Sequence, residues 1–240
     1  MTLGAVLLAG AAFAVTSSTI VGYNTVPVTK SMYTALGVQF IGAGSENRTV
    51  AIKDLLKVDV PYGRPSLANT ADQIHFWTGG SWKKYFYSST LNTWTDDGVT
   101  ETTDTVQNGD TVFFLRSSRG NGNITLSGGV NQLTSQVAYS LTKSVYHFVA
   151  YPWPVPFKID DFKNCIDTPY GRPNLANTAD QVHVWTGGSW DKYWYSSTLN
   201  GFTKDGISIT TDTIPVGQGV FFLRSSRGNG TLTFTKPSGL

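Results

Sequence analysis

His75 and His183 are each followed by a tryptophan two residues on and a lysine nine residues on. An imidazole can act as a general base or a metal ligand, but both roles need partners that converge on it. The chain has three histidines, and the third, His147, stands outside the repeated pattern. One repeated histidine per unit supplies neither a nucleophile–base pair nor a metal cage. The repeated carboxylates are Asp72 with Asp180, Asp97 with Asp205, and Asp104 with Asp212. Glycoside hydrolysis needs two carboxylates across a cleft, and nothing in the spacing sets any of these together. Asp97-Gly98 and Asp205-Gly206 read as turns. Asp104 and Asp212 read as side chains bonded to nearby backbone. No G-x-S-x-G, H-E-x-x-H, C-x-x-C or P-loop occurs. The expectation is a protein with no enzymatic activity, no cofactor and no metal.

Stacking is the chemistry the residues do favour. Around each histidine lies a run of large rings, "DQIHFWTGGSWKKYFY" from Asp72 and "DQVHVWTGGSWDKYWY" from Asp180. A flat aromatic surface can lie on a sugar ring while neighbouring polar groups bond its hydroxyls. It can also meet another protein, where Trp and Tyr are enriched, or be covered by the protein's own second sheet or helix. A further repeated stretch, "LRSSRGNG", carries Arg116 and Arg119, answered by Arg224 and Arg227. Paired guanidiniums beside a turn suit a carboxylate or phosphate, and a solvated hairpin end is the simpler reading.

These rings must be positioned by strands. Gly-Gly between two alternating runs signals a two-residue hairpin. That turn pairs Trp77 with Trp82, His75 with Lys84 and Gln73 with Phe86. In the second unit it sets His183, Trp185, Trp190, Lys192 and Trp194 on one face together with Gln181. The opposite face, with Ile74, Tyr85, Val182, Val184, Tyr193 and Tyr195, reads as the core side. "GVFFLRSS", the "RGNG" turn and "TLTFTK" suggest a second hairpin, and "KSVYHFVAY" a strand. "AIKDLLKV" and "KIDDFKNC" suggest a helix of about two turns.

The whole unit is duplicated. With an offset of 108, residues 62–126 align without gaps to 170–234, and 46 of the 65 positions are identical. "KSMY" at Lys30 answers "KSVY" at Lys143. The expected architecture is mainly β, with two tandem homologous antiparallel β-domains. These are sandwich or barrel-like, each with one short helix, at 19–130 and 135–238. "LSGGVNQLTSQ" between them reads as a linker.

Composition narrows the partners. Charged residues are 14% of the chain and the net charge is +2, which does not favour nucleic acid. Cys165 is alone, so no intrachain disulfide forms, and it reads as a small core residue. Residues 1–14, "MTLGAVLLAGAAFA", end on an A-x-A pattern and read as a signal peptide, although no Lys or Arg precedes the apolar run. No other segment is long and apolar enough to span a membrane.

"KSMYTALGVQF", "ADQIHFWTGGSWKKYFY" and "TDTIPVGQGVFFLR" resemble a family of secreted, poorly characterised β-proteins of Verrucomicrobiota and related bacteria. The likeness covers Asp72–Tyr87, Thr211–Arg224 and their counterparts. The first unit departs from the G-x-G of that family, with Gly109-Asp110-Thr111 where the second has Gly217-Gln218-Gly219. The resemblance implies export and a β-fold and transfers no catalytic residue. Together these readings point to an exported, non-enzymatic structural or surface protein, extracellular or on the bacterial cell surface. It would partner itself, self-assembling into a fibre or sheath through aromatic faces or strand edges. "TIVGYNTVPV", from Thr19, is a candidate donor strand for a neighbour, or the strand that completes its own domain. The alternative is a carbohydrate-binding or adhesion protein with one aromatic platform per repeat and polysaccharide as its partner.

Overall fold

The computed structural model describes residues 21–41, 48–63, 65, 68–78, 81–132, 134–172 and 176–240. The apolar run at 1–14 and the Gly79-Gly80 turn lie outside the described residues. The chain is rich in β-strands and sandwich-like. The first repeat holds β1 (Val21–Val28), β2 (Tyr33–Gly37), β3 (Phe40–Ile41), β4 (Thr49–Ala51), β5 (Lys57–Val58), β6 (Gln73–Trp77), β7 (Trp82–Ser88), β8 (Thr93–Thr95), β9 (Thr105–Gln107), β10 (Thr111–Leu115) and β11 (Gly122–Val130). The second holds β12 (Gln136–Leu141), β13 (Tyr146–Ala150), β14 (Phe157–Lys158), β15 (Gln181–Trp185), β16 (Trp190–Ser196), β17 (Gly201–Thr203), β18 (Thr213–Ile214), β19 (Gly219–Leu223) and β20 (Gly230–Thr235).

Each repeat builds one five-stranded antiparallel sheet, β2-β10-β6-β7-β8 and β13-β19-β15-β16-β17. The hairpin register is the one the Gly-Gly turn demands: Trp77 opposes Trp82 and His75 opposes Lys84, as Trp185 opposes Trp190 and His183 opposes Lys192. Alternation then sends Ile74, Tyr85, Val182 and Tyr193 into the core, where each is almost wholly buried. A smaller sheet, β1-β11 with β3 and β5 in the first repeat and β12-β20 in the second, contributes to the same buried cluster through Ile124, Leu126, Leu232 and Phe234. Burying each of these large side chains is worth about 1.5–3 kcal/mol.

Four readings of the sequence need correction or completion. β1 pairs along its whole length with β11 of its own repeat, Val21 opposite Gly129 through Val28 opposite Gly122. The donor-strand reading therefore gives way to the domain-completing one, with Thr19 and Ile20 outside the described residues. About half of the expected linker is strand, because Leu126–Val130 finishes β11, and Asn131 is wholly buried. The first helix, α1 (Ile52–Leu55), is a single turn. The second, α2 (Phe162–Cys165), follows a 3-10 turn at Ile159–Asp161 and so approaches the expected length. Finally, Asp104 and Asp212 do not serve local backbone. They accept the hydroxyls of Tyr85 and Tyr193 at 2.8 and 2.7 Å, and Asp104 also takes Lys83. Asp97 and Asp205 are turn residues as read. Asp97 accepts the N–H groups of Val99 and Thr100, and Asp205 those of Ile207 and Ser208.

The two repeats meet about a pseudo-twofold axis. Gly37 N–H donates to the Gly217 carbonyl at 2.9 Å, and its counterpart Ala150 N–H donates to the Gly109 carbonyl at 2.7 Å. Leu36 bridges Gln218 as Val149 bridges Asp110. Buried amides seal the joint: Gln39 Nε2 donates to the Tyr151 carbonyl, Gly217 N–H to Gln39 Oε1, and Asn108 Nδ2 to the Pro152 carbonyl. Trp153, fully buried, donates its indole N–H to the Asn131 carbonyl at 3.1 Å.

Candidate functional site

The outer faces of the two large sheets turn toward each other, so the repeated aromatics form one body instead of two platforms. Phe113 of β10 lies 5.3 Å from its counterpart Phe221 of β19, centroid to centroid. Phe148 of β13 packs at 4.1 Å on Phe221, 5.1 Å from Trp82 and 5.9 Å from Trp77. Trp190 stacks on Phe221 at 4.4 Å and meets Trp185 at 4.8 Å. Edge-to-face and offset arrangements dominate, as ring quadrupoles favour. Between them a cavity of about 370 Å³ is lined by Tyr33, His75, Trp82, Phe113, Trp185, Trp190 and Phe221. Trp185 is held in place because its indole N–H donates to the Tyr33 carbonyl at 2.7 Å.

Of the residues read as candidates, Trp82, His75, Trp185 and Trp190 reach this cavity. Trp77 packs edge-on against Trp82. Phe86 is buried. Trp194 is half-buried, its indole nitrogen enclosed and unpaired among the described residues. Lys84 reaches Asn69 at 3.3 Å, and Lys192 is exposed. His183 is 4% exposed beneath Tyr146. Tyr33, Phe113 and Phe221 were not singled out from the sequence. The signal for them was the strand order, since β10 lies between β2 and β6, as β19 lies between β13 and β15, with their outward residues on the same face.

Two of the four arginines read as anion contacts, Arg116 and Arg224, are committed inside the protein. Arg116 is 5% exposed and bonds Asp72, itself wholly buried, at 2.7 Å; Arg224 holds Asp180 at 2.9 Å. These are internal ion pairs, neither solvated nor open to a ligand. Arg119 and Arg227 lie over the rings of Tyr62 and Tyr170 at 4.8 Å. Cys165 packs against the core, and burial pushes its thiol up to about 12.

Burial first, and then the charge of Lys84 or Lys192, pushes His75 and His183 down to about 4. Each shares a proton with a glutamine two residues back, His75 with Gln73 at 2.9 Å and His183 with Gln181 at 2.8 Å. Each glutamine spends its amide N–H on a backbone carbonyl and so offers oxygen to the ring. The neutral imidazole therefore donates through Nε2. In the unfolded chain the same rings protonate near 6.5. Between about 6.5 and 4 the unfolded state binds more protons, so stability present at neutral pH is lost as pH falls through that interval. A loss of roughly 2 kcal/mol per histidine is expected, less than the full shift because His75 is partly solvated. Asp110 and Asp180, raised by burial, act in the opposite sense. The readout is therefore urea unfolding of wild type against His75→Phe/His183→Phe at pH 7 and 5. The variant should lose less stability on acidification, and equal losses would refute the assignment.

Within the described residues, no group of three or more His, Cys, Asp or Glu is arranged to hold a metal. No helix of the described residues is long and apolar enough to cross a membrane. No protein-family model, curated protein or solved structure matches the chain.

Proposed function

We propose that the protein is an exported, non-enzymatic carbohydrate-binding protein with one aromatic cleft per chain, working outside the bacterial cell or on its surface. The observation that carries this reading is the convergence of Trp82, Trp185, Trp190, Tyr33 and His75 from two repeats on one cavity of about 370 Å³. Small-ligand sites are concave, mainly apolar and oriented by a few polar groups. Here the rings supply stacking surface, and His75, kept neutral, supplies hydrogen bonding without charge. Trp82 is 46% exposed, so a ligand can cover it without first displacing core. Export is supported by the apolar run at 1–14 with its A-x-A ending.

A structural, self-assembling role is the second reading, and one observation favours it. β1 is an edge strand whose outward residues Val21 and Tyr23 are 70% and 80% exposed. Pro27 on the same strand weighs against edge pairing. Much of the aromatic face is packed within the chain, so assembly would use such an edge or the open cleft where Trp82 is exposed.

One titration separates the two. Tryptophan emission is followed while neutral polysaccharides (cellulose, xylan, chitin and α-glucan fragments) are added at several protein concentrations. Saturable quenching independent of protein concentration is expected, weakened about tenfold or more in Trp82→Ala with its melting temperature kept. Emission that follows protein concentration and ignores every saccharide would favour assembly and remove the carbohydrate reading.

A further inference from the structure

A pseudo-twofold joint should offer the same space on both sides, and this one does not. On one side a cavity of about 530 Å³ opens between β1–β2 of the first repeat and the β15–β16 hairpin of the second. Val26, Thr34 and Ala35 form part of its floor and wall. Their counterparts across the axis are Tyr139, His147 and Phe148. The equivalence is fixed by register: Val26 opposes Ile124 as Tyr139 opposes Leu232, and Ala35 opposes Phe113 as Phe148 opposes Phe221. On that second side the large rings fill the equivalent space. Phe148 packs into Trp77, Trp82 and Phe221. Tyr139 comes so close to Gly109 that a Cβ there would meet its hydroxyl at 1.7 Å. Small residues thus stand in one half where large ones stand in the other, and among the described residues the difference is an open groove on one side.

The groove adjoins the aromatic cleft. Tyr33 and Trp185 line both cavities and form a shared wall. No residue lining the groove carries a charge; its polar groups are hydroxyls, amides and backbone. The amide nitrogens of Asn24 and Gln218 are committed to the Val216 and Trp185 carbonyls, at 2.9 and 2.8 Å, which leaves their oxygens as acceptors. Neutral acceptors beside an indole suit hydroxyl donors on an uncharged ring and offer nothing to an anion or a cation.

Resting on the carbohydrate reading, we infer that this groove extends the cleft, so that the ligand is a neutral oligosaccharide chain bound once per protein. A ring in the cleft would continue past Trp185 along β1 and β2. The second half of the joint is closed to it by Tyr139, His147 and Phe148.

The test is calorimetric titration of the full chain with cello-, xylo- and malto-oligosaccharides, from monosaccharide to hexasaccharide. One site per chain is expected, with affinity rising with length by on the order of tenfold once the ligand is long enough to pass Trp185. Thr34→His and Val26→Tyr each place in the groove the ring that its counterpart carries. Each should erase the gain with length while leaving the shortest binding ligand unaffected, with melting temperature as the folding control. Two variants are used so that one that fails to fold leaves the other to decide. A length gain that survives in either folded variant, or two equal sites per chain, would overturn the groove while leaving the cleft reading intact. Binding by no member of the ladders, or binding indifferent to Trp82→Ala, would overturn the cleft reading and the groove with it.

Discussion

Asp72→Ala is expected to cost about 3–5 kcal/mol of folding stability, the loss typical of breaking a buried ion pair from one side. Asp72 is wholly buried, and three groups converge on its carboxylate. Arg116 Nη1 donates to Oδ2 at 2.7 Å, Tyr62 N–H to Oδ2 at 2.8 Å and Ser117 N–H to Oδ1 at 2.8 Å. Arg116 in turn donates to the carbonyls of Val60 and Gly120. One carboxylate therefore pins the loop before β6 to the turn after β10. Removing it strands a guanidinium that is 5% exposed and takes this acceptor from two N–H groups. The pair itself need not be a net source of stability, since burial holds the Asp180 carboxyl above its usual range even with Arg224 beside it. This sets the comparison: Asp72→Ala/Arg116→Met should be less destabilised than Asp72→Ala alone, because no buried charge is left over. Urea unfolding at pH 7 measures both. A single variant within about 1 kcal/mol of wild type would mean that the carboxylate is not the fastener described here.

That pair also marks where the sequence stopped being legible. Gly-Gly flanked by alternating runs specifies its own register, so the partners of Trp77, His75 and Gln73 could be read from local spacing alone. The buried side of the hairpin followed from the same alternation. Asp72 and Arg116 are 44 residues apart, and nothing local says that β10 inserts between β2 and β6. Without that strand order the arginines read as a solvated turn and the carboxylate as one of several repeated acids. The aromatic face was legible as a face but not as half of a joint. Its partner is the same face of the other repeat, and identical residues give no sign of whether they meet each other or a second molecule. Duplication hid the site in a further way. The repeated motifs mark what the two units share, whereas the groove arises at Val26, Thr34 and Ala35, where they differ from Tyr139, His147 and Phe148.

The same logic makes Gly219→Thr the substitution expected to disturb the joint most. Thr111 and Gly219 are equivalent positions, and they face each other across the pseudo-axis. A Cβ on Gly219 would lie 2.3 Å from Thr111 Cγ2 and Oγ1 and 2.8 Å from its Cβ. Thr111 cannot swing away freely, because its hydroxyl donates to the Val149 carbonyl at 2.7 Å in a buried setting. The joint has room for one side chain at its centre, which accounts physically for Gly109-Asp110-Thr111 in one repeat and Gly217-Gln218-Gly219 in the other. Gly219→Thr should cost roughly 2–3 kcal/mol through overpacking. Adding Thr111→Gly should recover most of it. In the exchanged protein the new threonine would find the Leu36 carbonyl where Thr111 now finds that of Val149, since Leu36 bridges Gln218 as Val149 bridges Asp110. Thr111→Gly alone loses one hydrogen bond and a little packing, about 1–2 kcal/mol. The interaction term of this double-mutant cycle, from urea melts of the four proteins, should therefore be large and favourable to the exchange. Simple additivity would mean that the two residues do not meet and that the repeats are joined in some other way. Recovery in the exchanged protein would also restore the cleft, because Phe113 and Phe221 sit two residues further along these same two strands.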